Sequence, residues 1–419
     1  MSRPGREKLH RRNDDRPRKR YPDNKRPVAG RALRIIKSKS RKVVNEDTYM
    51  DYNLLFIVIF LLAFGLVMVY SASSYEAMLK MGDAAFYFKK QLFATALGIV
   101  VMLIVTFVDY HFWRLFSVWM FLGSLISVLL VKTALGKSAN GATRWLNIAG
   151  FSVQPAEIVK LAIIIFLASL IAKMGSVKLA DFKTAMKVFL IAVVAGGEIY
   201  IVTSNLSSAI IVVGIAFLMM FVASPDSRVY IIMVVAAVVI AALTIYIITA
   251  GSMAEGGGSF RAGRIRAWLN PEAYASSIGF QTLQALYAIG SGGFKGKGLG
   301  QSMQKLDFLP EAQNDMIFSI ICEEFGIIIA TAIIAIFLFL IWRCVIIASN
   351  APDLYGSLLA VGIMAHISLQ VIFNVAVVTN TIPNTGITLP FISYGGTSVV
   401  FLLFEMGLLL SVSRRINFE

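Results

Sequence analysis

The sequence predicts an all-α polytopic membrane protein: ten transmembrane helices, with a long extracellular loop between the seventh and the eighth. Three observations carry that reading. The 419 residues are 57% hydrophobic and only 15% charged, with a mean hydropathy of +0.74, where a water-soluble chain carries about 25% charge. Several apolar runs reach the roughly 20 residues that a helix needs to cross a bilayer. The short basic segments fall at alternate junctions of those runs, as the positive-inside rule requires.

Residues 1–51 form a basic tail, with 17 Lys/Arg against 6 Asp/Glu before residue 51. Few apolar residues and blocks of like charge predict disorder. Beside a membrane body, that charge reads as a cytoplasmic topology signal that also touches anionic membrane lipids, with no nucleic acid as partner. The first span follows the tail and is expected to act as an uncleaved anchor.

Residues 52–416 form the membrane domain. The apolar runs place spans at 53–70, 91–108, 112–131, 155–172, 186–203, 206–223, 229–250, 316–348, 355–378 and 391–412. The eighth is long enough to tilt or to begin outside the hydrocarbon. Lys173, Lys178, Lys183, Lys187, Arg228, Arg343, Arg414 and Arg415 share the side of the tail, so both termini are expected in the cytoplasm. Cys322 and Cys344 are 22 residues apart in one span, about 33 Å on a helix, and cannot pair. No His/Cys cluster has metal-ligand spacing, which argues against a zinc site.

The outer loop, 251–315, is too long for a plain connector. It opens on a flexible Glu255-Gly256-Gly257-Gly258 hinge. Arg261, Arg264 and Arg266 follow, with Trp268. Two readings fit: an interfacial helix whose arginines meet lipid phosphates, or a clamp on a diphosphate-bearing lipid. The run Gly290 to Gly300 interleaves glycines with Lys295 and Lys297. It fits neither the dinucleotide fingerprint nor the P-loop, and reads equally as an anion-binding nest or a flexible turn.

The loop ends on Leu309-Pro310-Glu311-Ala312-Gln313-Asn314-Asp315, where polar sequence enters an apolar run. An acid at the mouth of a span is costly unless paired, hydrated or used. Asp315 is therefore the candidate catalytic residue. Glu323 and Glu324 lie on other faces of the same helix, about 12 to 14 Å deeper, and read as structural acids with buried partners. Glu157 and Lys160 share a face at i, i+3 in the fourth span, either as an ion pair or as substrate contacts. His366, Gln370 and Asn374 make one polar stripe, explained as glue between helices.

Several of these segments together resemble one family. Gly141-Ala142-Thr143-Arg144-Trp145-Leu146, the run from Gln154 to Lys160, Phe280-Gln281 with Gln284, Gly290 to Gly300, Leu309 to Asp315, and Leu389 to Gly396 resemble the motifs of SEDS proteins (shape, elongation, division and sporulation), in the family's order. The likeness covers residues 50 to 416 and is closer to the family's division branch than to its elongation branch. Asn205, Asn314 and Thr397 depart from the commonest residues, and the first puts a charged role at that position in doubt.

The resemblance implies a peptidoglycan glycosyltransferase that polymerises lipid II on the outer face of the bacterial cytoplasmic membrane, at the division septum. Asp315 matches the family's catalytic acid. Arg144, Glu157, Lys160, Arg261, Arg264, Gln281, Gln284, Lys295, Lys297 and Ser393 are the expected substrate-binding residues. The implied partners are a class B penicillin-binding protein transpeptidase and other division proteins. No cofactor is required by any motif, although a divalent cation, Mg or Mn, could share the diphosphate's charge. Two other functions fit a many-span chain: a lipid II flippase and a non-catalytic division scaffold.

Overall fold

The computed structural model describes residues 50–139, 142–148, 151–251 and 260–416. The expectations for residues 1–49 and for the Glu255–Gly258 hinge lie outside these described residues, as does the Arg261 side chain. The described residues contain ten helices long and apolar enough to cross a membrane. They are α1 (Tyr52–Met81), α2 (Phe86–Phe107), α3 (Tyr110–Leu130), α4 (Pro155–Met174), α5 (Phe182–Thr203), α6 (Leu206–Ala223), α7 (Arg228–Gly251), α10 (Ile317–Asn350), α11 (Leu354–Val378) and α12 (Gly396–Ser413). Two shorter helices, α8 (Phe260–Leu269) and α9 (Phe280–Gly292), lie between α7 and α10.

Polar residues at the span mouths explain many of the boundaries. Asp51 caps α1, Asp109 caps α3, Asp181 caps α5, Asn205 caps α6 and Asp353 caps α11, each accepting a backbone N–H of the first turn. Pro155 opens α4 at a position where its missing N–H costs nothing. Asp51 also meets Arg343 at 2.6 Å, and its N–H reaches Ser413, which ties the start of α1 to α10 and α12. The first and last described residues therefore lie at one end of the bundle, and Asp315 lies at the other.

The most enclosed spans are α4, α12, α11 and α6. α4 packs against α3, α6 and α11, and α12 packs along α2. By contrast, α7 is buried at Tyr230 but has no buried residue from Ile231 to Ile248, where it presents apolar side chains all round. Such a helix is stable only in a surrounding that is itself apolar.

Three features depart from the sequence reading. Segment 132–154 carries a small antiparallel sheet, β1 (Gly136–Ala139), β2 (Ala142–Ile148) and β3 (Phe151–Val153), in the order β1-β2-β3. Its signal is present in the chain: Asn140-Gly141 between the paired Ala139 and Ala142 is a hairpin dipeptide. The last span begins at Gly396 rather than near 391. Phe391 and Ile392 are apolar because they are buried, in a non-helical turn where Phe391 has φ 62° and Ser393 N–H bonds back to Leu389. Finally, α10 breaks at Gly326, φ 74°. Residues 317–324 are all buried in protein, and the apolar exposure expected of a lipid-facing helix starts at Ile327. Its 34 residues, about 51 Å, exceed a hydrocarbon core of about 30 Å. Glu323 and Glu324 therefore belong to the protein-enclosed first turns and not to the lipid-facing stretch.

Candidate active site

Asp315 stands two residues before α10, at the end of a segment whose backbone is fastened from four sides. Gln281 Nε2 donates to the Pro310 carbonyl at 3.1 Å, and Tyr394 N–H to that of Gln313 at 2.9 Å. Ser393 Oγ donates to the Asn314 carbonyl at 2.6 Å, and Asn374 Nδ2 to that of Asp315 itself at 2.7 Å. Ser393 is oriented in turn by accepting from Leu389 N–H, and Gln91 bridges the Ser393 carbonyl and the Gly395 N–H. The carboxyl so placed is 8% exposed, and its Oδ1 finds no hydrogen-bond partner among the described residues.

Burial raises the Asp315 carboxyl, the negative charge of Glu311 raises it further, and the Arg264 guanidinium opposes both. The result is a value of about 7 instead of 3.8. A carboxylate tuned this way holds a proton in the neutral range, as a general base at cellular pH should.

Beside this segment lies a pocket of about 210 Å³, whose walls include Arg264, Trp268, Phe280, Gln281, Pro310 and Asn384. Arg264 and Trp268 lie four apart, on one face of α8. Arg264 Nη1 donates to the Asn384 carbonyl at 3.1 Å and Trp268 Nε1 to that of Asn380 at 3.0 Å. Asn384 Nδ2 donates to Gln281 Oε1 at 2.8 Å. The tryptophan N–H is thus spent on protein, not on a lipid interface. The pocket combines a cation, two amides and two aromatic faces, a surface suited to a sugar bearing negative charge.

The structure separates other candidates from this pocket. Lys297 Nζ lies 2.7 Å from Glu323 Oε1, and Glu323 also accepts from Ser291, Ser302 and the N–H groups of Met303 and Gln304. Three N–H groups of the glycine run are spent on protein carbonyls and not on an anion. Gly296, Lys297 and Gly298 donate their N–H groups to the carbonyls of Gly292, Glu323 and Glu324. A Cβ on Gly296 would lie 2.3 Å from the Glu324 carbonyl oxygen, so the glycine is needed for the loop to enter the α10 break. Lys295 is exposed on the same loop.

Arg144, on β2, donates to the carbonyls of Thr203 and Ser204 and so closes the end of α5. Glu157 and Lys160 form a buried ion pair at 2.6 Å, with Ser398 donating to Glu157. Gln284 is half-buried on α9, one turn from Gln281. Ser393 is 3% exposed and holds backbone, so it supports Asp315 from beneath. Glu324 pairs with Lys305 at 2.8 Å and accepts from Ser71.

Sequence reasoning passed over Asn384, Glu311 and Gln91. Glu311 stands in the quoted motif, four residues from Asp315, but nothing in the linear order marks it as a charge that raises the Asp315 carboxyl. Asn384 and Gln91 come from distant segments, and only the fold brings them to Asp315.

Comparison with known proteins agrees with this architecture. The model of the FtsW/RodA/SpoVE family, described as cell cycle protein, matches residues 52–417. The stage V sporulation protein E of Bacillus subtilis is 39% identical over 89% of this chain and 99% of its own length. A probable peptidoglycan glycosyltransferase FtsW of Geobacter metallireducens is 38% identical over 89% and 97%. Among solved structures, a chain of a peptidoglycan synthase complex, described as coordinating polymerization and crosslinking, superposes with a TM-score of 0.71 at 22% identity over 87% of this chain and 98% of that one. The rod shape determining protein RodA of Thermus thermophilus does so with 0.62 at 22% identity over 88% and 98%. The fold and the site thus define a multi-pass membrane protein of the SEDS class. The chain belongs to the FtsW/RodA/SpoVE family.

Proposed function

We propose that this protein is a peptidoglycan glycosyltransferase that polymerises lipid II, with Asp315 as general base. The observation that carries the reading is a buried carboxyl raised to about 7, under the charge of Arg264, in a segment whose Pro310 lines the same pocket as Arg264. Support for the activity comes from relatives named as probable peptidoglycan glycosyltransferases.

The chemistry follows from the substrate's bonds. Lipid II carries its sugar α-linked to a diphosphate, and the glycan product is β-1,4-linked, so a single in-line displacement inverts the anomeric centre. Asp315 takes the proton of the incoming 4-hydroxyl as its oxygen bonds to the anomeric carbon. The carbon–oxygen bond to the diphosphate breaks, and undecaprenyl diphosphate leaves with the electron pair. Positive charge near the departing diphosphate lowers the barrier, and Arg264 is the described cation in the pocket wall. Among the described residues, no group of three His, Cys, Asp or Glu is placed to hold a metal ion.

The site end is read as the outer face, and both termini as cytoplasmic, because the basic segments gather at the opposite end. Action at the division septum rests on the relatives named FtsW, and a partner transpeptidase on the synthase complex of similar fold. A flippase loses support because Glu157 and Lys160, two of the three charges it would use within the bundle beside Glu198, are committed to each other.

The test is glycan synthesis from fluorescent lipid II by the full chain with its partner transpeptidase. The reading requires polymer from the wild type and a rate at least about 10²-fold lower from well-folded Asp315→Asn. Lipid II translocation in liposomes without polymer would replace it by the flippase reading. Neither activity would leave the scaffold reading.

A further inference from the structure

We infer that Asn374 is a positioning residue for the reaction, holding the base-bearing segment against the opposite wall of the site through a pair of carbonyl contacts. The inference rests on the reading of Asp315 as base.

Asn374 lies on α11, one turn before the helix ends at Val378, and is fully buried. Its Nδ2 donates to the Asp315 carbonyl at 2.7 Å and to the Ile387 carbonyl at 2.8 Å. The two carbonyls belong to different walls. One is the backbone of the base. The other ends the Asn384-Thr385-Gly386-Ile387 run, which supplies Asn384 to the pocket and sets Gly386 against Asp315 Oδ2, where an added Cβ would lie 3.7 Å away. Two acceptors converge on one nitrogen, so only a group with two N–H bonds on that atom satisfies both. An aspartate would set its oxygens against carbonyl oxygens, and a leucine would leave both carbonyls buried without a donor.

The remaining contacts to the Asp315 segment hold residues 310, 313 and 314. Asn374 is the side chain that holds the base's own carbonyl and the facing wall at once. A glue between helices would join α11 to a neighbouring helix. These contacts join it instead to two non-helical segments of the site.

The distance between walls matters to the chemistry in two ways. It sets where the carboxylate meets the incoming hydroxyl, and an error of about 1 Å in such placement costs on the order of a hundredfold in rate. It also sets how closed the surroundings of Asp315 are. The charged groups that act on Asp315 are Glu311 from its own segment and Arg264 from α8. Loosening the wall admits water to the carboxyl and weakens the burial that raises it.

The experiment compares Asn374→Leu and Asn374→Gln with wild type, each as the full chain with its partner transpeptidase, on fluorescent lipid II across pH 5 to 9. Positioning predicts a 10- to 100-fold fall in kcat with KM within about threefold. It also predicts that the acidic limb of the kcat profile moves to lower pH in Asn374→Leu, with Asn374→Gln between Leu and wild type. A purely structural role scales activity with the folded fraction and leaves the limb where it was. An unmoved limb in both variants, or wild-type kcat in Asn374→Leu, overturns the inference. Asp315→Asn is run alongside. If it retains activity, the base assignment fails. If it is dead while Asn374→Leu behaves as wild type, the positioning role alone fails.

Discussion

Lys297 and Glu323 stand 2.7 Å apart, and Glu323 is wholly buried while Lys297 keeps a third of its side chain exposed. That ion pair moves Lys297 from the substrate side of the site to its foundation. It pins the glycine run to the break in α10, where the loop's N–H groups also cap the carbonyls of Glu323 and Glu324. Removing one partner of a buried pair costs about 3–5 kcal/mol, less where one member keeps water. Lys297→Gln should therefore lower the melting temperature in detergent, and Lys297→Gln with Glu323→Gln should recover part of the loss. KM for lipid II in the folded fraction should stay unchanged. A raised KM at unaltered melting temperature would return Lys297 to the substrate.

Asp315 is expected to show opposite effects on rate and stability. Asp315→Asn removes the base and should cut polymerisation by about 10² to 10⁴. The wild-type rate should fall as pH drops through about 7, where the carboxylate gains its proton. The stability sign is reversed. A folded-state value raised above the unfolded one means that the ionised form is penalised in the folded protein. That penalty is fully present above about 7 and vanishes toward 3.8. Asp315→Asn should therefore melt higher than wild type at pH 8, with the gain shrinking as pH falls. Equal melting temperatures at pH 8 would show that the carboxyl is not penalised by burial.

The spans and the place of Asp315 at the mouth of one were legible because each is a local signal: a run of apolar residues, or an acid where such a run begins. Glu157 and Lys160 were legible as neighbours because helical spacing fixes who meets whom within a turn. What holds Asp315 was not. Gln281, Asn374 and Ser393 come from three other segments and act on backbone carbonyls, which carry no sequence mark. The glycines between 290 and 300 left two readings open for a related reason. A glycine that lets backbone N–H groups reach an anion looks the same in sequence as one that lets them reach another helix's carbonyls. The buried turn at Leu389 to Tyr394 reads as apolar, and hydropathy alone cannot tell a buried turn from the start of a span.

Glu157 and Lys160 should behave as a structural unit. They are 7% and 1% exposed, and 2.6 Å separates their charged atoms. Either Glu157→Ala or Lys160→Ala strands a charge in the bundle, at about 3–5 kcal/mol. The double variant strands none, so its melting temperature should exceed that of at least one single variant. Strictly additive losses would mean that the pair is not coupled and would reopen a substrate role for Lys160.

Arg264 lets substrate binding be tested apart from tuning of the proposed base, because it is placed for both. It lines the pocket, and its charge acts against the rise of the Asp315 carboxyl. In Arg264→Gln the opposing charge is gone, so the carboxyl should rise further and the acidic limb of the rate profile should move to higher pH. Arg264→Lys keeps the charge but loses the planar fork, so the limb should stay near its wild-type position. If the guanidinium also grips a diphosphate, KM for lipid II should rise in both variants, by roughly 10-fold or more for each charge-assisted hydrogen bond removed. A moved limb with unchanged KM would make Arg264 a tuning group alone. A raised KM with an unmoved limb would make it a substrate clamp whose charge does not reach the base. Wild-type values of both would remove Arg264 from the site and leave its bond to Asn384 as a fastening of α8 to the loop before α12.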